Sequence, residues 1–396
     1  GKTMREHLKK VKWIIIDEIH ELACDKRGAQ LSIALERLSK LAEIEPQRIG
    51  LSATVGEEEK IANFLVGLNR KVKIIKASIL KGFNVYIEYI TPSVEDEGEG
   101  EKLGLPSSSI ARVKRICELV LSHNSTLIFT NTREHAEALG AQIKALNPNI
   151  PVEVHHGSLS REVREEVESK FQSGEIKAIV CTSSLELGID VGTVDLVIQY
   201  MSPRQAVNLI QRVGRSGHSI EAEPKGVIIA SGIDDFLESI IITEFAKKGK
   251  LEEIKIHENA LDVLAHQIVG LTLDFKGLPL KEAYETVKKA YPYRNLTFED
   301  FLEVVKQLSE LKILRVKNDF IKSRFRRAFK YYYENLSMIP EVKHFSVFDF
   351  TRRKKIGVLD QEFVAKRCFP GLEFIMHGYT WRVIKIDEEK LSIDVE

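Results

Sequence analysis

Short runs of β-branched and apolar residues alternate along much of the chain with segments of helical periodicity, and this alternation limits the fold more than any other sequence feature. Continuous apolar strands separated by helices are typical of parallel sheets with crossover helices on both faces. The central part of the chain contains a complete set of such units, which predicts an α/β fold with a doubly wound sheet. Its predicted strands are Thr126–Thr130, Val152–His155, Ala178–Thr182, Val194–Gln199 and Gly226–Ala230, and its predicted helices are Arg133–Leu146, Arg161–Gln172 and Arg204–Val213.

The first part of the chain has the same alternation over a shorter length, as in the C-terminal half of a second sheet. Its predicted strands are Val11–Ile16, Arg48–Ser52 and Val72–Lys76, and its predicted helices are Ala29–Ala42 and Glu57–Leu68. Between the two α/β parts, residues 91–109 combine Pro, Gly, Ser and acidic residues without hydrophobic periodicity, which predicts a loop or linker. Helical patterns dominate from Asp235 onward, and alternating runs typical of strands return after Pro340.

The composition excludes several classes of protein. A length of 396 residues suffices for about two to four domains, and 58 basic residues balance 58 acidic residues, as in a folded globular chain. The four cysteines lie far apart without a CxxC pair, which argues against a disulfide framework or a zinc site and favours a reducing compartment. No apolar run approaches the ~20 residues of a membrane span, so we expect a soluble, cytoplasmic protein.

The most informative polar residues follow the apolar run Trp13–Ile16, which ends in Asp17 and Glu18, with His20 close behind. Ligands of parallel α/β sheets bind at the carboxyl ends of strands, so adjacent carboxylates there can reach a bound metal ion and its phosphates. In nucleotide hydrolysis the first acid can hold Mg²⁺ and the second can polarise the attacking water. Taken alone, the pattern also fits a strand that ends in a solvated turn.

Several other predicted strands and helices end in polar residues that could meet phosphates. Arg212 and Arg215 flank Gly214 at a helix end, and an arginine held by such a backbone can approach a γ-phosphate. Each segment by itself is weak evidence, because polar turns and surface helix ends have the same composition. These segments are Leu51–Thr54, Phe129–Arg133, His156–Ser158, Thr182–Asp190 and Gln211–His218.

In their order along the chain, these segments resemble the motifs of the superfamily-2 helicases. The matches are a DEIH-box motif II (Asp17–His20), motif III (Ser52–Thr54), motif IV (Phe129–Arg133), motif V (Thr182–Asp190) and motif VI (Gln211–His218). Within that superfamily the chain is most similar to the large helicase-related (Lhr) DNA helicases. That resemblance extends to His257–Asp262 and Phe374–Val383.

The resemblance implies RecA-like parallel-sheet domains, the first of them incomplete, followed by a winged-helix domain and the start of a β-rich domain. The implied boundaries are 1–80, a linker at 81–110, then 111–234, 235–335 and 336–396. It also implies an ATP-dependent helicase of DNA repair or recombination that moves 3′ to 5′ on single-stranded or branched DNA, with ATP and Mg²⁺ as cofactors. Two alternatives stay open: a non-catalytic nucleic-acid-binding module, and a helicase that acts on RNA or DNA–RNA hybrids.

The resemblance also assigns roles to the residues of motifs II and III. Asp17 would coordinate Mg²⁺ through water, and Glu18 would be the general base for the attacking water. His20 would couple hydrolysis to Ser52 and Thr54.

Motif VI and part of motif V would belong to the nucleotide site. Gly188, Asp190 and Gln211 would line the cleft, and Arg212 and Arg215 would face the ATP phosphates, with Arg215 as the arginine finger. Many superfamily members end motif VI in Arg, whereas this chain has His218, which puts one expected arginine contact in doubt.

The nucleic-acid backbone would be contacted from motifs IV and V, by Thr130, Asn131, Arg133 and Thr182. A Walker A loop reads GxxxxGK[ST] after a strand, and Gly1-Lys2-Thr3 spells only its tail. We interpret that tail as a chance match. We therefore expect a fragment that lacks motif I and that hydrolyses ATP negligibly by itself.

The segment Lys322–Tyr333 interleaves basic and aromatic residues. Basic side chains neutralise phosphates and aromatic rings stack on bases, a combination that suits single strands. We predict nucleic-acid contacts by Arg324, Arg326 and Arg327, while Phe325 and Phe329 fit equally well as core residues of an amphipathic segment.

Overall fold

The computed structural model describes residues 2–52, 56–76, 82, 84–186, 192–216, 223–338 and 343–396. Its internal contacts divide the chain into two units, each built from two separate segments. Unit 1 consists of Gly1–Ser78 and Glu252–Glu341, and unit 2 consists of Ile79–Leu251 and Val342–Glu396.

The first segment of unit 1 forms a two-stranded parallel sheet with helices. The elements are α1 (Lys2–Lys9), β1 (Trp13–Ile16), α2 (Ile19–Ala23), α3 (Lys26–Leu41), β2 (Gln47–Gly50) and α4 (Glu58–Val66). Strands β1 and β2 pair in parallel from Trp13 opposite Gln47 to Ile16 opposite Gly50. The strand predicted at Val72–Lys76 is wrong: this run pairs with no described strand, and Ile75 is 82% exposed. Apolar, β-branched composition alone does not make a strand without a neighbour to pair with.

The first segment of unit 2 confirms the predicted doubly wound sheet. Its elements are β3 (Asn84–Tyr89), α5 (Val94–Leu103), α6 (Ser107–Leu121), β4 (Thr126–Phe129), α7 (Arg133–Leu146), β5 (Val152–His155), α8 (Arg161–Gln172), β6 (Ala178–Cys181), β7 (Leu196–Tyr200), α9 (Ala206–Val213), β8 (Lys225–Ala230) and α10 (Ile233–Lys247). Six strands pair in parallel in the order β3-β8-β7-β4-β6-β5. Four of them, β4 to β7, are buried along their whole length apart from Glu153, as their apolar sequences predict.

The loop predicted for residues 91–109 is wrong, because most of this stretch is helical. Ser93 begins α5 with a capping box, in which its hydroxyl accepts from the Asp96 N–H and the Asp96 carboxylate accepts from the Ser93 N–H. Lys114 on α6 pairs with Asp96 at 2.8 Å and with Glu99 at 3.2 Å. Capping and packing against α6 stabilise a helix whose composition alone predicts disorder.

The second segment of unit 1 has a winged-helix arrangement, in which helices pack beside a small antiparallel sheet. The elements are α11 (Leu261–Asp274), β9 (Leu278–Pro279), α12 (Leu280–Lys288), α13 (Phe298–Glu310), β10 (Leu314–Lys317), β11 (Phe320–Ser323) and α14 (Phe325–Glu334). The sheet order is β10-β11-β9. Ala29 and Ile33 of α3 belong to the same buried cluster as Val263 and Leu264 of α11, so the two segments of unit 1 share one core.

The C-terminal segment forms a second sheet in unit 2, as predicted for the residues after Pro340. Its elements are β12 (His344–Asp349), β13 (Lys354–Asp360), α15 (Gln361–Arg367), β14 (Glu373–Met376), β15 (Tyr379–Asp387) and β16 (Ser392–Val395), with strand order β13-β12-β16-β15-β14. Phe345 and Val383 of this sheet lie in one buried cluster with Leu159 and Val163. The two segments of unit 2 therefore share a core as well.

None of the helices that the structure describes combines the length and the apolar character needed to cross a bilayer.

Candidate functional site

The acidic turn after β1 has a constrained backbone. Glu18 adopts a left-handed conformation with φ 47° and ψ 41°, which costs a residue with a Cβ on the order of 1 kcal/mol. Its N–H donates to Asp17 Oδ1 at 2.9 Å. The Leu51 N–H donates to the Ile16 oxygen at 2.9 Å and the Ile19 N–H donates to the Leu51 oxygen at 3.0 Å, so the end of β2 holds both sides of the turn.

One oxygen of the Glu18 side chain accepts no hydrogen bond from the residues that the structure describes. Glu18 Oε2 is buried, and none of the described residues donates a hydrogen bond to it. It lies 3.6 Å from His20 Nδ1, beyond hydrogen-bond distance. A buried carboxylate oxygen without a donor is costly unless a bound group supplies one. This oxygen and Asp17 at the end of β1 are hard oxygen donors, the kind that Mg²⁺ and its water ligands prefer.

His20 joins the acidic turn to the segment after β2. It is only 6% exposed, and its Nδ1 shares a hydrogen bond of 3.1 Å with Ser52 Oγ. Its Nε2 lies 3.4 Å from Glu21 Oε1, and the His20 hydrogen bond holds the pKa of Glu21 below its ordinary value although partial burial opposes this. Motifs II and III therefore touch through His20 and Ser52, whereas Thr54 lies outside the described residues.

The arginines of motif VI lie in unit 2 within a buried polar network. Arg212 is 4% exposed and donates from Nε to Glu186 Oε1 at 2.6 Å. Its Nη1 donates to Gln199 Oε1 at 2.7 Å and to Asn131 Oδ1 at 3.1 Å. This geometry gives Arg212 a structural role, and its expected contact with ATP stays a prediction.

Arg215 is less buried than Arg212 and is held by the backbone. Its Nε donates to the Glu186 carbonyl oxygen at 3.1 Å, and its Nη2 donates to the same oxygen at 2.5 Å. Among the described residues, Glu186 of motif V thus contacts both arginines of motif VI. Gln211 lies on α9 one turn before Arg215, while the predicted site residues Gly188 and Asp190, together with His218, lie outside the described part of the chain.

The predicted backbone-binding residues of motifs IV and V are engaged within unit 2. Thr130 is fully buried and donates to the carbonyl oxygens of Thr132 and Cys181, so its hydroxyl does not reach the surface. Asn131 donates to the Ser202 carbonyl oxygen at 2.8 Å, and Arg133 donates to Ser158 Oγ at 3.0 Å.

Arg133 and Thr182 differ in how far they are engaged. The Arg133 guanidinium also pairs with Asp360 of the C-terminal sheet. Thr182 is partly exposed at the end of β6. The four expected contacts with nucleic acid stay predictions, and the one by Thr130 would require the end of β4 to open.

Sequence reasoning did not select several buried residues that organise these motifs. Glu186 and Gln199 accept hydrogen bonds from Arg212. His155 joins Ser184 of motif V to Glu168 on α8: its Nδ1 lies 2.8 Å from Ser184 Oγ and its Nε2 lies 2.9 Å from Glu168 Oε1. Burial lowers the pKa of His155 despite Glu168. The available signal was Glu186, an acid among the apolar residues of motif V, which needs a cation as partner when buried.

Helix α14 carries the predicted basic segment. Arg324, Arg326 and Arg327 are exposed, and so are Phe325 and Phe329, which decides against a core position for the two rings. Ala328 is the buried residue of this helix.

Three family models match successive parts of the chain. They are "DEAD/DEAH box helicase" over residues 2–62, "Helicase conserved C-terminal domain" over 111–219 and "Large helicase-related protein, winged helix domain" over 244–395. With the acidic turn and the parallel sheet, these matches show that the chain is built from domains of the DEAD/DEAH helicase class.

Known proteins give the narrower assignment. The chain is 38% identical to ATP-dependent helicase Lhr-Core protein 2 of Thermococcus barophilus, over 98% of this chain and 46% of that protein. It is 39% identical to ATP-dependent helicase Lhr-Core of Methanocaldococcus jannaschii, over 95% of this chain and 44% of that protein. The chain belongs to the large helicase-related (Lhr) family and spans slightly less than half the length of these relatives.

A solved structure agrees with this assignment. The Mycobacterium smegmatis helicase Lhr, bound to single-stranded DNA and AMP-PNP, matches with a TM-score of 0.70 and 33% identity, over 82% of this chain and 43% of that one.

Proposed function

We propose that this chain forms part of an ATP-dependent helicase that moves 3′ to 5′ along single-stranded or branched DNA. The observation that carries the proposal is the unsatisfied Glu18 Oε2 beside the contact between His20 and Ser52. A general base needs a lone pair free to accept a proton from water, and Glu18 has one. The Lhr relatives, which are named ATP-dependent helicases, support the same activity.

In this proposal Asp17 holds Mg²⁺ through its water ligands, and Glu18 takes the proton of the attacking water. Bound Mg²⁺ would supply positive charge that neutralises the phosphates during hydrolysis. His20 responds to the state of Glu18 and transmits it to Ser52, since Glu18 Oε2 and Ser52 Oγ both lie near its Nδ1, at 3.6 Å and 3.1 Å respectively. The strained backbone of Glu18 fixes the direction of the carboxylate.

Arg215 is the proposed arginine finger, and Arg212 supports it. Glu186 binds the Arg212 side chain through its carboxylate and the Arg215 side chain through its carbonyl oxygen. In this proposal Arg215 leaves that carbonyl oxygen to reach a phosphate, and motif V moves as the finger engages.

The proposed substrate is DNA, in repair or recombination, and such a motor would act in the cytoplasm, where ATP is available. The solved Mycobacterium smegmatis relative contains single-stranded DNA, which favours a single strand as the track. RNA or a DNA–RNA hybrid is the second candidate substrate, because contacts to phosphates do not distinguish the sugars.

The catalytic proposal is tested with Glu18→Gln in a protein that joins this chain to the upstream segment of the Thermococcus barophilus relative. We expect DNA-stimulated ATP hydrolysis to fall by about 10²–10⁴, because the amide cannot accept the proton. The control is Glu21→Gln, which changes a neighbouring carboxylate that also contacts His20. The 396-residue chain itself contains no GxxxxGK[ST] motif, and we propose that it hydrolyses ATP negligibly.

The result that contradicts the proposal is hydrolysis by Glu18→Gln at the rate of the parent protein. A joined protein that binds DNA without any hydrolysis would support the non-catalytic binding module instead.

A further inference from the structure

Helix α14 displays three aromatic rings in a row on its surface. Phe325, Phe329 and Tyr333 follow one another at intervals of four residues and are 69%, 45% and 52% exposed. The ring centroids of Phe325 and Phe329 are 5.7 Å apart, and those of Phe329 and Tyr333 are 4.3 Å apart. We call these three residues the ring ladder. Water-exposed rings of this size in a continuous row indicate a binding surface.

The ring ladder is not needed to attach the helix to unit 1, because another face of α14 does this. Ala328 is fully buried, and the Tyr332 ring stacks on His266 with a centroid distance of 4.2 Å and an interplanar angle of 11°. The Tyr332 hydroxyl accepts a hydrogen bond from Arg37 Nη1 at 3.1 Å. A helix fixed on one face can present the ladder as a rigid edge.

Positive charge surrounds the ring ladder. Arg326 and Lys330 form a second row with the same four-residue interval, and on a helix this row lies beside the ladder. Lys322, Arg324 and Arg327 are exposed close by, and none of these three or Arg326 forms an ion pair with a described residue. Glu334 is the one acid between residues 322 and 334, and it lies 3.8 Å from Lys330.

We propose that the ring ladder is a stacking platform for the bases of a single nucleic-acid strand, whose phosphates lie along Arg326 and Lys330. This inference rests on the proposed function and names the part of the chain that holds the strand. Four residues of helix rise about 6 Å, a spacing at which successive bases can each meet a ring. A duplex does not fit, since its bases already stack on one another and show no free face.

The charge pattern also argues against an apolar protein surface or a second copy of this chain as occupant. An apolar surface would bury several cations without a counter-charge, which is costly, and a second copy of this helix would bring like charges together. Phosphates instead gain from each cation through release of counterions.

The test measures affinity for a fluorescent oligo(dT) of about 20 nucleotides by anisotropy, using the 396-residue chain. Phe329→Ala should weaken binding roughly fivefold to a hundredfold, the loss that corresponds to one stacked base. Phe329→Tyr should keep the affinity, and Phe329→Leu should lose it, because leucine is apolar but has no π face. Tyr86→Ala, which removes a 66% exposed ring from unit 2, is the matched control and should change nothing.

Two further probes isolate stacking from charge. On a strand whose central nucleotides are abasic, Phe329→Ala and the parent chain should bind alike. A quadruple variant should lower the slope of log affinity against log salt by up to about 3; in it, Ala replaces Arg324, Arg326, Arg327 and Lys330. Phe329→Ala should leave the slope unchanged.

The proposal is overturned if Phe329→Ala binds oligo(dT) as the parent chain does, or if it loses equal affinity for the abasic strand. Retained affinity in Phe329→Leu would also overturn it, because an apolar contact with the strand would then suffice without stacking. If the parent chain binds the strand and the ring variants match it, the ladder alone fails and the helicase proposal stands. If the parent chain binds no strand, both fail. Circular dichroism checks that each variant is folded.

Discussion

Glu186 holds two arginines by two different groups, its carboxylate binding Arg212 and its carbonyl oxygen binding Arg215. The sequence motif indicates both arginines but not their partner, because the pairing depends on how α9 packs beside the segment after β6. The Arg212 ion pair is buried on both sides, with 4% and 10% of the side chains exposed. Such a pair contributes little to stability compared with apolar residues, but it is expensive to break from one side.

Arg212→Met is therefore expected to lower the free energy of unfolding of unit 2 by about 3–5 kcal/mol, since it leaves the Glu186 carboxylate buried without a cation. Urea denaturation followed by circular dichroism measures the change. Arg161→Met serves as control: it removes an arginine that is 80% exposed and pairs with Glu165, and should cost less than about 1 kcal/mol. Equal losses of unfolding free energy in the two variants would show that the buried Glu186 carboxylate does not need Arg212 as its counter-charge.

At the scale of elements, the position of the acidic turn depends on the close approach of α2 and α3. Gly28, in the first turn of α3, leaves no room for a side chain: a Cβ there would lie 1.9 Å from the Leu22 carbonyl oxygen and 3.0 Å from Phe64 Cζ. Asp25 caps α3 and accepts from the Gly28 N–H at 3.2 Å. The two helices after Glu18, α2 with His20 and then α3, are thus fixed by a glycine and a cap.

Gly28→Ala should destabilise unit 1 by about 1–3 kcal/mol through overpacking, and in the joined helicase it should reduce ATP hydrolysis as well, since α2 carries His20. Gly98→Ala is the comparison, because Gly98 lies within helix α5 with nothing within 4 Å of its added Cβ. That change should be neutral or stabilising by up to about 1 kcal/mol. Thermal melting of the two variants checks both statements. A Gly28→Ala protein as stable as its parent would contradict the packing argument.

At the scale of the whole molecule, each unit is assembled from segments that are distant in sequence. In unit 2 the carboxylate of Glu137 on α7 accepts from the N–H groups of His377 and Gly378, both at 2.6 Å, and from His156 Nε2 at 2.7 Å. Ser158 and Ser160 also exchange backbone hydrogen bonds with Val358 and Ile356 of β13. The C-terminal sheet is therefore bonded to the six-stranded sheet domain by buried groups.

Glu137→Gln tests this attachment through pH. Burial would raise the pKa of Glu137, but hydrogen bonds from His156, Gly378 and His377 outweigh it and hold the pKa below the ordinary 4.5. The carboxylate therefore stabilises unit 2 above about pH 4.5, and this stabilisation is lost as the pH falls through the lowered pKa. The variant should be about 1–3 kcal/mol less stable at pH 7 and should lose less on acidification.

Urea midpoints between pH 7 and pH 3 provide the measurement for Glu137→Gln. Glu118→Gln, at a carboxylate that is 65% exposed, should leave the profile as it is. If the urea midpoints of Glu137→Gln and the parent chain changed with pH in the same way, the Glu137 carboxylate would not hold the C-terminal sheet in place.

Local patterns predicted the central sheet well because its strands are buried apolar runs and two of the predicted helices, α7 and α8, begin at side-chain caps. The bounds of α7 and α8 agree with prediction, and Thr132 and Ser160 accept the capping hydrogen bonds there. Prediction failed where strand pairing or helix packing decides the secondary structure. Residues Val72–Lys76 pair with no described strand, and α5 forms although its composition predicts a loop. The contacts of Glu186 and Glu137 join residues far apart in sequence, so no local pattern could reveal them. The roles assigned to the motif residues stay predictions.

The interleaved order of the segments has a consequence for synthesis on the ribosome. The α3 face of the first segment, with Ala29 and Ile33, is covered by α11, which lies beyond roughly 170 intervening residues of unit 2. Helix α11 begins at Leu261, roughly 230 residues after Ile33. At about 5–20 residues per second, that apolar face would stay bare for roughly 11–46 s after it emerges. The nascent chain would be prone to aggregation during this interval. A lower growth temperature, or a chaperone that covers early apolar segments, should therefore raise the yield of folded protein.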